Sequence, residues 1–193
     1  MNLPRLRRSC RITGPVARRF ETARQRLGFG LLFLAYLGLL WGTLGWWQTW
    51  LGTGYLYPLS WAATRLLGLL GVSVILDPSL LSSGTCALVM ERAVFQVTYD
   101  CAGLFALLVY VAAVLAHPAT PTWRAAGILA GAGALFAYGV LRLVALALVG
   151  HLAPAWLSFL HLYMLVLMNV GFVVFLWATW VARARPASRE AAR

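Results

Sequence analysis

The chain contains no lysine: its sixteen basic residues are all arginine, set against only five acidic ones. Eight of these arginines fall between Arg5 and Arg26 and four between Arg183 and Arg193. The net charge of +11 thus lies mostly at the two ends, beside apolar segments, which is the pattern of tails held in the cytoplasm and not of a nucleic-acid surface. No nucleic-acid partner is expected. Cysteine is scarce too. Cys10, Cys86 and Cys101 make an odd number with no repeated spacing, so neither a disulfide framework nor a zinc site is indicated. The three histidines supply no pair at ligand spacing on facing helices, so no cofactor is expected. There is no internal repeat. No small-residue cleavage site follows the first apolar run, and an uncleaved anchor is expected.

What is abundant is apolar surface. A 193-residue chain that is 62% hydrophobic is too apolar for an ordinary soluble domain and reads as an integral membrane protein. The expected fold class is an all-α polytopic membrane protein with about four transmembrane helices, an interfacial helix and a small extracytoplasmic β insert. Residues 1–27 read as a basic cytoplasmic tail, disordered or interfacial. Residues 28–182 form the membrane domain, and 183–193 a second basic cytoplasmic tail. Gly28 to about Trp50 fits a span of about 20 residues closed by an aromatic belt of Trp41, Trp46, Trp47 and Trp50. Leu51 to Tyr57 then lies outside. Pro58 to about Val72 is short and carries Arg65 at its centre, which predicts an interfacial or re-entrant helix, since a central arginine is costly in a span. Parity agrees, because both basic tails then face the cytoplasm. Residues 72–99 hold short β-branched runs bounded by turn residues, Asp77-Pro78 and Ser82-Ser83-Gly84 among them. They predict an extramembrane β insert, because open strands cannot remain in lipid. Three further spans follow: Cys101 to about Ala116, Trp123 to about Val149, and Ala155 to Ala182. Gly127, Gly131 and Gly133 suit close helix packing.

This topology brings Cys101, Arg142 and His161 to one depth at the outer surface. Cys101 is placed on the first turn of a span, where unpaired N–H groups and the helix dipole favour a thiolate. The chemistry this predicts is acyl transfer. Cys101 attacks a peptide carbonyl, Arg142 stabilises the oxyanion, and His161 serves as acid and base. The plain alternatives are a small buried cysteine and a snorkelling arginine. His151 reads as a loop histidine, and His117 falls on the cytoplasmic side. Cys86, in the β insert, would end a thiol mechanism if it paired with Cys101 in an oxidising compartment. A charged Asp100 beside Cys101 would raise the thiol pKa, so it must point elsewhere or pair with a cation.

Three pieces of the chain carry a family resemblance: Cys101-Ala102-Gly103 after a β-rich outer segment, Leu141-Arg142-Leu143, and Phe159-Leu160-His161-Leu162-Tyr163. In order and spacing they resemble the exosortase/archaeosortase group of membrane cysteine transpeptidases over about residues 55–182. With Ala116-His117-Pro118-Ala119 they look most like the exosortase H type. Two positions depart from the family pattern. Ala102 stands where serine or asparagine is common, and Gly139 stands where an asparagine commonly precedes the arginine by three residues. The resemblance implies a bacterial cytoplasmic (inner) membrane enzyme with its site on the extracytoplasmic face. It also implies the partners: exported proteins carrying a C-terminal motif, a transmembrane helix and a basic tail, which are cleaved and passed to an envelope acceptor. The rival from another class is a non-catalytic membrane scaffold or assembly factor, in which Arg142 and His161 join helices as polar contacts.

Overall fold

A computed structural model describes residues 15–90 and 93–183. The protein is mostly helical, with one small three-stranded sheet. Helix α1 spans Pro15–Gly42, so the helix begins well inside the stretch expected as a tail. Pro15 suits a first helical position because its missing N–H would have no helical partner there. Residues 1–14 and 184–193, including Cys10 and most of both expected tails, lie outside the described residues.

The largest correction falls at the end of α1. The sequence predicts a straight run to Trp50 and an outer connection at Leu51–Tyr57. Instead α1 stops at Gly42, and the chain resumes as α2 (Leu44–Leu51), a π turn (Gly52–Leu56) and α3 (Tyr57–Leu69), bent by 61° from the preceding helix. Thr43 provides the cause. Its hydroxyl donates to the carbonyls of Leu39 at 3.0 Å and Leu40 at 3.1 Å, and such back-bonding bends helices. Gly52 keeps right-handed helical angles, so no turn forms at 51–57. Pro58 has no N–H to donate and its ring crowds the carbonyl four residues back. The wider π turn ahead of it accommodates both effects. One face of this segment is buried through Leu56, Leu59, Ala63 and Leu67, while Trp46, Trp50 and Trp61 stand exposed.

The β insert forms as expected, from β1 (Val74–Asp77), β2 (Thr85–Met90) and β3 (Ala93–Thr98), antiparallel in the order β1-β2-β3. Period-two alternation decides what it covers. Cys86, Leu88 and Met90 point inward with Val97 and join Leu59, Ala63 and Leu67 of α3 in one core with Val140, Leu143, Val144 and Ala147. Ile75 and Val94 face away.

A single turn, α4 (Tyr99–Ala102), and three more helical stretches complete the fold: α5 (Leu104–Ala116), α6 (Pro121–Leu152), and a run from Pro154 to Arg183 comprising a 3₁₀ turn, α7 (Leu157–Phe159), a second π turn (Leu160–Met164) and α8 (Leu165–Arg183). Small residues set the spacing on α6. The Tyr110 ring of α5 lies against Gly131 and donates its hydroxyl to Gly127 O at 3.0 Å, while the Trp180 indole covers Gly127 and donates to Trp123 O at 3.2 Å. Arg124 donates twice to His117 O, at 2.9 and 3.2 Å, satisfying a carbonyl at the end of α5. Two helices, Pro121–Leu152 and Pro154–Arg183, are long and apolar enough to cross a membrane, and the bent pair from Arg26 to Leu69 makes a third if it is one span. At 13 residues, about 20 Å, α5 is shorter than a bilayer core.

Candidate active site

Cys101 does not sit on the first turn of α5. It lies on a separate helical turn, α4 (Tyr99–Ala102), which Gly103 closes with φ +80°, and α5 begins afresh at Leu104. This gives the Cys-Ala-Gly triplet a local reason. Position 103 needs the left-handed conformation that glycine adopts without penalty. Position 102 is fully buried, and its carbonyl oxygen comes so close to α6 that a Cβ on Gly139 would stand 3.0 Å from it. Both neighbours of that contact have to be small.

The turn is tied at both ends to the bent segment. Tyr99 donates its hydroxyl to Gln48 O of α2 at 2.8 Å, and Tyr55, on the first π turn, donates to Ala102 O at 2.9 Å. Cys101 lies between these two ties and is half-buried. Its side borders a cavity of about 370 Å³, lined by Leu88, Phe95 and Val97 from the sheet, Leu143 and Leu146 from α6, and Ser158 and His161 from the last helical run. The Phe95 ring closes one edge by lying over Gly150, where a Cβ would overlap it.

Two of the three residues singled out by sequence therefore share one cavity: Cys101 and His161. His161 falls within the second π turn, and π turns redirect side chains and concentrate at functional sites. Arg142 is placed differently. It does not line that cavity, and it is buried at 6% exposure. Its Nε has no hydrogen-bond partner among the described residues. Helical periodicity sets it on the same α6 face as Gly139, which touches Ala102, and as Leu146, which lines the cavity. Tyr55 and Tyr138 both lie within electrostatic reach of its guanidinium. The Tyr138 hydroxyl is likewise buried without a partner, its ring stacked on Phe172 at 4.8 Å.

The competing residues separate cleanly. Asp100 is exposed and lines a different cavity, with Gln48, Thr85 and Tyr99. It therefore points elsewhere than the Cys101 cavity. Cys86 and Cys101 are both free thiols; Cys86 is fully buried, and burial pushes its thiol up, away from the reactive thiolate. His151 ends α6, and His117 packs edge-on against Trp177 and Trp180 at the α5–α6 connection. Tyr163 is exposed, as a belt residue would be.

Sequence reasoning missed Tyr55, assigned to an outer loop, and both π turns. The available signal was Gly52-Thr53-Gly54 followed by Pro58, which marks a helix needing a local widening as well as it marks a loop. Chemically, the arrangement offers a thiol and an imidazole on the wall of one largely apolar cavity, and a buried arginine on α6 whose Nε has no hydrogen-bond partner among the described residues. The chain matches no family model, no curated protein sequence and no solved structure.

Proposed function

We propose that this protein is a membrane cysteine protease/transpeptidase of the exosortase kind. It cleaves a C-terminal sorting signal from exported proteins and passes the product to an envelope acceptor. The single observation that carries the reading is the shared cavity of Cys101 and His161, residues 60 positions apart in a chain with three cysteines and three histidines. The thiolate of Cys101 attacks the scissile carbonyl carbon, and the oxyanion is stabilised by Arg142. The C–N bond breaks as His161 delivers a proton to the leaving amine. The acyl group then rests on sulfur as a thioester. An acceptor amine, hydroxyl or water attacks it, His161 takes the proton, and the thiolate is released. An arginine suits the oxyanion role because it stays charged in a dry site, and an unpartnered buried guanidinium has a vacant donor to offer.

In this reading α1, α5, α6 and the Pro154–Arg183 run make four spans of a bacterial inner membrane. The segment Leu44–Leu69 lies along the outer surface beneath the sheet. Its 61° bend and its exposed Trp46, Trp50 and Trp61 support that position, and an even number of spans keeps both arginine-rich ends in the cytoplasm.

The test is a chromosomal Cys101→Ala variant in the source organism, with envelope proteins compared by mass spectrometry. Exported proteins carrying a C-terminal motif, transmembrane helix and basic tail should lose the tail in the wild type and retain it in the variant. Identical tail processing in both strains would sink the enzyme reading and leave the scaffold.

A further inference from the structure

We infer that the free edge of β3 receives the substrate as an added strand: an extended peptide segment pairs its backbone with β3 and so delivers its carbonyl to Cys101. The inference rests on the reading of Cys101 as a nucleophile and adds the form in which the substrate is held. Register fixes which backbone groups are on offer. Two residues, 91 and 92, join β2 to β3, and the pairing closes on Met90 and Ala93. Across a two-residue connection that closing pair exchanges both of its hydrogen bonds, and bonded pairs alternate along the ladder from there. Phe95 and Val97 therefore bond to β2. The N–H and C=O of Val94 and Gln96 turn the other way, where β3 has no neighbouring strand among the described residues. Val94 and Gln96 make no other backbone hydrogen bond among the described residues.

The cavity lies along that edge. Phe95, Gln96 and Val97 all line it, together with Cys101 and His161. Successive side chains of a strand point to opposite faces, so a space bordered by three consecutive residues meets the edge of the strand and not one face alone. Cys101 follows Thr98, the last residue of β3, by three positions, so a peptide laid along β3 ends at the thiol. In the proposed topology the sheet lies outside the bilayer and the substrate's transmembrane helix follows the scissile bond, so the residues before that bond are the ones that reach β3. The composition of the strand agrees. Proteins blunt open edges with charge, proline or shortness. β3 is six residues long with neither charge nor proline, whereas the opposite edge, β1, has four and runs into Asp77-Pro78. Backbone pairing holds any extended chain, and the apolar cavity wall adds a preference for an apolar side chain beside the scissile bond. A helical segment is excluded, because its own N–H and C=O groups are already bonded to each other.

The experiment follows, by pulse-chase in the source organism, tail loss from an exported protein whose processing stops in Cys101→Ala. Gln96→Pro deletes an N–H that bonds nothing among the described residues and sets a ring where the added strand would lie. The half-time of tail loss should lengthen about tenfold or more, while maleimide still alkylates Cys101 at the wild-type rate. Gln96→Ala removes the side chain but keeps the N–H, and should lose far less. If Gln96→Pro does not accumulate in the membrane, a photoreactive benzoylphenylalanine at Val94 in the Cys101→Ala protein takes its place. It should cross-link to unprocessed, tail-bearing proteins. The same probe at Ile75, exposed on the same face but on β1, lies two strands farther from the edge and should not. Wild-type tail loss in Gln96→Pro, equal losses in the proline and alanine variants, or cross-links at both positions or at neither overturn the added strand and leave the enzyme reading intact. Tail loss that is the same in Cys101→Ala as in the wild type overturns both together.

Discussion

Replacing Arg142 by methionine should make the protein more stable and less active at once. The side chain is 6% exposed, makes no side-chain hydrogen bond among the described residues, and has an enclosed Nε. Burial of an ion without a partner costs several kcal/mol even after relaxation, and replacing such an ion by an apolar side chain of similar volume is often stabilising by about 1–4 kcal/mol. Methionine keeps the unbranched apolar stem, which is the part of arginine that packs. The net gain should therefore be about 2–3 kcal/mol, which for a chain of this size raises the thermal midpoint by roughly 5–10 °C. Tryptophan fluorescence during heating in lipid nanodiscs reads this directly, with Leu141→Met, exposed on the next residue of α6, as the control for the methionine itself. Processing of a tail-bearing protein should fall by about a hundredfold or more, the usual cost of losing an oxyanion donor. A midpoint that drops in Arg142→Met would refute the reasoning, because it would show that the guanidinium holds the bundle together and is not a charge retained for chemistry.

Thr43→Val removes the hydroxyl that bonds Leu39 and Leu40 while keeping the shape, and should relax the 61° bend. Spin labels at the exposed positions Leu31 and Leu69 should move apart by several ångströms, and an unchanged distance would remove the hydroxyl as the cause. His117 carries a pH dependence of known sign. Burial, and then the Arg124 charge, hold its imidazole below the ordinary 6.5, so the unfolded chain binds the proton first. Its contribution is complete above pH 6.5 and is lost as pH falls through the lower folded value; the thermal midpoint should fall over that range in the wild type and less steeply in His117→Phe. Tyr110→Phe deletes the bond to Gly127 O at 3.0 Å and should cost about 1 kcal/mol, read as a lower midpoint in the same melting assay. No loss there would mean that the ring on Gly131, and not the hydroxyl, sets the contact.

The long apolar helices and the β insert were legible in the sequence because each rests on local properties. Apolar run length and β-branched residues between Asp-Pro and Ser-Gly turns act over windows shorter than one element. Gly127 and Gly131 were likewise readable as packing sites, although not what packs on them: Trp180 and Tyr110. The break at Thr43 was hidden because a helical threonine looks the same in sequence whether its hydroxyl bonds backward or outward. The π turns were hidden because widening a helix by one residue changes no composition.

By itself the sequence determined that this chain carries helices apolar enough to cross a membrane and a small β insert, and it marked Cys101, Arg142 and His161 as polar residues set among apolar ones, since transfer free energy and turn chemistry are properties of short segments. Only the tertiary structure decided that Cys101 rides on a turn of its own, closed by Gly103 and tied by Tyr55, that His161 reaches the same cavity from a π turn, and that Arg142 is buried off that cavity, its Nε without a hydrogen-bond partner among the described residues. Those arrangements depend on which atoms meet across 40 to 60 residues of chain, and steric fit between distant surfaces leaves no local trace.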